Sequence, residues 1–254
     1  MSTTPWPAFT LAGATIGVFT GLFGVGGSSI ATPLLSIMGV PGLVAVASPL
    51  PAAIPSAIAA AAPYVRQREA RPRAAAWSLI GAAPAAVGGA LLSQIVGGSV
   101  LLFVSGVVLV IVGQRVTRPI SETTKQSGTG RRLNRPFLVG VMAGVGLFSG
   151  LLANGGGFLI VPAYLLIFGL DMRQATGTSL LVISVLTVPT LVTHWALGHI
   201  DWTVAGAFAL GATPASAVSS HFSRRVGGDA LRRAFGWFLT AAGVAFVAYR
   251  LVVG

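Results

Sequence analysis

The chain has 254 residues, 54% of them hydrophobic and only 8% charged, whereas a soluble domain carries about a quarter charged residues. It lacks the charge to coat a water-facing surface, so lipid is the expected solvent; the absence of cysteine removes disulfides, thiolate nucleophiles and cysteine metal sites. The net charge of +11, from 16 basic and 5 acidic residues, does not indicate nucleic acid binding, because the basic residues fall in short connections between apolar runs, as cytoplasmic loops do under the positive-inside rule.

In chain order, Met1 to Thr10 holds no Lys or Arg, so the basic start of a cleaved signal peptide is missing and the first apolar segment is expected to stay. Residues 8–39 are too long for one span and are interrupted by Gly24-Val25-Gly26-Gly27. Residues 42–64, 74–96 and 99–116 are each near the roughly 20 apolar residues that cross roughly 30 Å of hydrocarbon. The polar, basic stretch 117–136 follows. Residues 137–169 are again too long and are interrupted by Asn154-Gly155-Gly156-Gly157; 174–197, 202–222 and 231–252 are three further expected spans. A glycine costs a helix interior about 1 kcal/mol relative to alanine, so each glycine cluster should end one helix and let another start. The pieces after the breaks, 28–38 and 158–168, reach only about 16 Å and cannot span alone. Both broken stretches read as re-entrant hairpins with the glycine turn inside the membrane, tolerated where backbone is buried in protein or lines a polar cavity.

The two broken stretches belong to an internal repeat. Gly21, Gly26, Gly27 and Pro33 match Gly150, Gly155, Gly156 and Pro162 at an offset of 129; the offset then becomes 130 for Leu50 and Leu180, Gly81 and Gly211, Pro84 and Pro214, and Gly106 and Gly236. The expected organisation is a first membrane repeat at 8–116, a basic cytoplasmic linker at 117–136 and a second repeat at 137–253. Charge sets their relative orientation. The connection 66–73 is strongly basic, while its counterpart 198–201 has an acid and no Lys or Arg; conversely, Arg173 and Arg224-Arg225 occupy the counterparts of uncharged loops. The expected fold is thus an all-α polytopic membrane protein of two inverted-topology repeats, each a re-entrant or broken helical hairpin plus three transmembrane helices, with both termini on the non-cytoplasmic side.

Inverted repeats with broken helices are how secondary transporters build a midplane site. A helix restarting after a glycine turn offers unpaired N–H groups and the positive end of its dipole, which suits an anion. The candidate donors are backbone at Gly26, Gly27, Ser28, Gly155, Gly156 and Gly157, with the side chains of Ser29, Asn154, Thr178 and Ser179 and the equivalent Ser48. The competing reading is that the glycines serve close helix packing and the hydroxyls bond their own helices; recurrence of the glycines in both copies beside a matched proline favours the site. His194, Trp195 and His199 read as an interfacial belt, with Tyr64 aligned on His194. All five acids, Glu69, Glu122, Asp171, Asp201 and Asp229, fall in connections or at their edges, so the buried carboxylates of proton relays have no counterpart. No catalytic constellation, metal-ligand set or cofactor motif is found, and an enzyme is not expected.

The segments Gly21-Leu22-Phe23-Gly24-Val25-Gly26-Gly27 through Pro33, Gly150 to Pro162 and Ala175-Thr176-Gly177-Thr178-Ser179-Leu180 resemble the sulfite exporter TauE/SafE family of membrane permeases, and the resemblance covers residues 9–253. It implies transport of sulfite, sulfoacetate or related small anions in an inner cell membrane, without ATP hydrolysis by this chain. One departure is Ser48-Pro49 where the second copy has Thr178-Ser179, which makes the halves chemically unequal. The expected partners are a small anion and the lipid bilayer, with proton coupling and homo-oligomerisation left open; an anion channel, or a membrane enzyme or assembly factor, is the alternative.

Overall fold

A computed structural model describes the chain except for residues 1–5, 27, 97, 119–133, 152–156, 224 and 254. All regular structure among the described residues is helical: α1 (Trp6–Phe23), α2 (Ser28–Ile37), α3 (Gly42–Ala47), α4 (Leu50–Arg66), α5 (Pro72–Val96), α6 (Gly98–Thr117), α7 (Arg135–Leu151), α8 (Gly157–Leu166), α9 (Met172–Ala196), α10 (Trp202–Ser223) and α11 (Gly228–Val253). Most of the expected linker, 117–136, lies outside the described residues.

Among the described residues, α1, the segment Leu43–Arg66 and α9 are long and apolar enough to cross a membrane. The 18 residues of α1 rise about 27 Å, so this first half of the broken stretch has the length of a span rather than of half a hairpin. The second halves, α2 and α8, have 10 residues each and are too short. The expected single span 42–64 is divided at Ser48-Pro49. Both residues keep helical dihedrals, but Pro49 has no N–H to give the carbonyl four residues back. Its counterpart in α9 is Ser179, and α9 runs unbroken for 25 residues.

Small residues set the packing. A methyl group at Gly17 in α1 would collide with the carbonyl of Ala212 in α10, and one at Gly146 in α7 with the carbonyl of Ala82 in α5. Gly21 meets Ser216 while Gly150 meets Ala86, and Gly211 meets Thr10 while Gly81 meets Val139. Each contact recurs between the residues that the sequence offsets make equivalent, with the halves exchanged. The same exchange holds between α6 and α11, where Gly113 lies on Gly236 and Gly243 on Gly106. Such close approach suits helices in lipid, where backbone proximity and dispersion replace the hydrophobic drive between helices. Aromatic contacts add to it: Phe19 of α1 stacks on Phe238 of α11 at 4.7 Å, and Phe23 lies 5.3 Å from Phe235.

Candidate functional site

The first glycine turn begins at Gly24, whose φ of +69° is left-handed, the usual glycine ending of a helix. Its N–H donates to the Thr20 carbonyl at 2.9 Å, and a Cβ there would stand 2.8 Å from the Thr176 carbonyl. The end of α1 is therefore seated against the second turn of α9. Ser179 of α9 donates its hydroxyl to the Gly24 carbonyl at 2.9 Å, satisfying an acceptor that a helix end leaves orphaned. Tyr64, fully buried at the end of α4, donates to the Gly21 carbonyl at 3.1 Å and is hydrogen-bonded to Ser223 Oγ at 2.6 Å. Tyr64 is thus a brace on the turn, unlike its offset mate His194, which sits with His199 (Nδ1 to Nδ1, 3.3 Å) near the exposed Trp195 and Trp202.

After Gly24 the chain is non-helical through Gly26, and Gly26 faces a cavity of about 10 Å³ bounded by Thr20, Pro49, Ser56, Ile183 and Phe208. That is room for about one water. The cavity lies between α1, Pro49 with the first turns of α4, α9 and α10. Thr20 and Ser56 bring hydroxyls to a mostly apolar lining; behind it, Ser56 Oγ is 3.3 Å from Thr213 Oγ1, and Ser216 donates to the Ser56 carbonyl at 2.9 Å. Thr176 Oγ1, beside Gly24, is buried with no hydrogen-bond partner among the described residues.

Thr178 and Ser48 are used reciprocally. The Arg71 N–H donates to Thr178 Oγ1 and the Asp201 N–H to Ser48 Oγ, each at 3.1 Å; Arg71 and Asp201 are themselves equivalent by the offset. Each hydroxyl fastens the loop of the opposite half, and Thr178 gives its own proton to the Gln174 carbonyl at 2.6 Å. Ser28 and Ser29 lie in the first turn of α2 and Gly157 opens α8. Gly27, Asn154, Gly155 and Gly156 lie outside the described residues.

The sequence profile of the family described as "Sulfite exporter TauE/SafE" matches residues 9–246. The chain belongs to the sulfite exporter TauE/SafE family. It is 28% identical over 248 residues to a "Probable membrane transporter protein" of Xylella fastidiosa (strain 9a5c), covering 92% of this chain and 91% of that one. It is 25% identical over 223 residues to "Probable membrane transporter protein YunE" of Bacillus subtilis (strain 168), covering 79% and 82%, and 25% identical over 230 residues to YjnA of the same strain, similarly named, covering 85% and 89%. No solved structure gives a significant match. As a TauE/SafE protein with helices apolar enough to span, the chain is a multi-pass membrane transporter.

In this TauE/SafE chain, residues not singled out from sequence also contribute. Ser216, Ser219, Ser220 and Ser223 are all buried on α10, and their spacing of three and four residues puts them on one helix face, the face toward α1 and α4. That spacing was the available signal; the counterparts Ala86, Gly89, Ala90 and Ser93 repeat it only at the last position, so a search for matched pairs passes over it. Tyr64 joins that row to the glycine turn. Tyr64→Phe should leave Gly21 and Ser223 short of a partner and cost about 1–3 kcal/mol; a thermal unfolding midpoint equal to wild type in the same detergent would show that the brace carries no load.

Proposed function

We propose that the chain is a secondary transporter of sulfite or small organosulfonates, working by alternating access of two inverted repeats, 8–116 and 137–253, joined by a cytoplasmic linker. The observation that carries the reading is the glycine turn, where Gly26 lines an internal cavity and Gly24 packs against Thr176, whose buried hydroxyl has no partner among the described residues, a rare cost that a functional role accounts for. Backbone N–H groups of Gly26, Gly27 and Ser28, with Ser29 and Thr176, receive the oxyanion in the first half; Asn154, Gly155, Gly156 and Gly157 do so in the second. Thr178, Ser179 and Ser48 support the site by holding the turn and the loops across the halves. At about 10 Å³ the cavity is too small for sulfite, so it corresponds to a closed conformation. The exchange of equivalent contacts between halves supports two conformations of similar energy related by swapping the roles of the repeats. The chain sits in the inner cell membrane with both termini non-cytoplasmic.

The test is uptake of labelled sulfite by proteoliposomes, with sulfoacetate, sulfate, acetate and choline as competitors and an imposed pH gradient. Saturable uptake blocked by sulfur oxyanions and indifferent to choline is expected, and its response to the gradient reports proton coupling. Folded protein that moves none of these anions would contradict the reading, and large unitary currents would make it a channel.

A further inference from the structure

A second concavity, of about 550 Å³, opens where α4 ends, α9 begins and α10 ends. It is lined by Gln67, Arg173, Val218, His221, Phe222 and Arg225. Its α10 wall continues a stripe along the outside of that helix: Leu210 is 67% exposed, Val218 70% and Phe222 57%, with Pro214 exposed between them. The opposite face of α10, with Phe208, Ala212 and Ser216, is buried. In a membrane-spanning chain the outer stripe therefore faces acyl chains, and the concavity is where it meets the basic end of the protein. Arg225 terminates the stripe. Arg173 stands on the far wall, 3.5 Å from the Glu69 carboxylate, whose charge it shares, and Gln67 is flanked in the chain by the exposed Arg66 and Arg68.

We infer that this groove binds the headgroup of an anionic phospholipid, the phosphodiester against Arg225, Arg173 and His221 and an acyl chain along Phe222 and Val218. The apolar wall decides between lipid and a free anion: a hydrated sulfite has no use for two exposed apolar side chains, while a lipid needs both ends of the groove. Basic pockets between helices at the membrane boundary are suited to such headgroups. The site is separate from the glycine turn and does not depend on the transported species. Its consequence is a lipid clamped between the ends of α4, α9 and α10, three of the helices that hold the end of α1.

Native mass spectrometry of the purified full-length chain, titrated with phosphatidylglycerol or phosphatidylcholine of matched acyl chains, tests this. Wild type should prefer phosphatidylglycerol, and Arg225→Gln should lower that preference about fivefold, the effect of one arginine near a charged lipid surface. Arg225→Lys should keep most of it, and Arg233→Gln, at an exposed arginine on α11, should keep all of it. Unchanged thermal midpoints in phosphatidylcholine confirm that the variants fold. The proposal is overturned if wild type shows no preference, if Arg225→Gln and Arg233→Gln behave alike, or if free sulfite displaces the lipid, which would make the groove an antechamber for soluble anions.

Discussion

If the chain carries sulfite as proposed, Gly26→Leu should abolish its uptake while the protein still inserts in the membrane and purifies as a folded species. Gly26 faces a cavity with room for about one water, and its backbone is one of the anion donors in the proposed site. A leucine side chain, four carbons where there is room for about one water, overfills the cavity and covers that backbone. Overpacking of this kind costs about 1–3 kcal/mol or more, which the thermal midpoint reads separately from uptake. Gly156→Leu in the second copy should do the same. Both are measured as initial uptake rates at equal reconstituted protein, with a thermal midpoint to show folding. Normal uptake in Gly26→Leu would take the turn out of the transport path and leave its glycines as packing elements.

Gly17→Leu and Gly146→Leu, in contrast, should each prevent recovery of folded protein. At both positions even a Cβ collides with backbone, the Ala212 carbonyl in one case and the Ala82 carbonyl in the other, so no side-chain rearrangement relieves the clash and the helix pair must separate. The expected loss exceeds about 4 kcal/mol each, the range reserved for core disruption. Gly140 and Gly206 are the controls, since a Cβ at either meets nothing within 4 Å, and leucine there should be tolerated. Size-exclusion profiles of detergent extracts report the outcome. Equal damage from the two clashing variants is the specific expectation, because the two contacts are the same contact with the halves exchanged; a tolerated Gly146→Leu would break that equivalence.

The helices were legible because membrane insertion demands long apolar runs. The expected spans end within three residues of α5, α6, α9, α10 and α11. The repeat offsets, read from glycines and prolines, turn out to link contacts as well: Gly17 with Ala212 and Gly146 with Ala82. Less legible was the role of particular hydroxyls. The offset makes Thr178 and Ser48 equivalent, but nothing in a sequence says whether a hydroxyl turns toward a cavity or toward a neighbouring loop, and in the structure they accept from the N–H groups of Arg71 and Asp201. Tyr64 was placed at an interface by its alignment with His194; its burial depends on Ser223 and Gly21 arriving from two other helices, a tertiary fact. Ser48-Pro49 was visible as a departure between copies, though the position of Pro49 beside the cavity was not. The length of α1, a span rather than half of a re-entrant loop, follows from where the first glycine break falls.

The measurement that tests the central claim most directly uses the absence of cysteine from the chain. Ser56→Cys, close to isosteric and on the wall of the cavity, places one thiol beside Gly26. Membrane-impermeant maleimide is applied to one side or the other of oriented vesicles, with and without sulfite. The account predicts labelling from either side at a rate set by the fraction of molecules open to it, with sulfite slowing both reactions. Labelling from one side alone, or labelling that sulfite leaves unchanged, would contradict the assignment of this cavity as the point where the anion is exchanged between the two faces of the membrane.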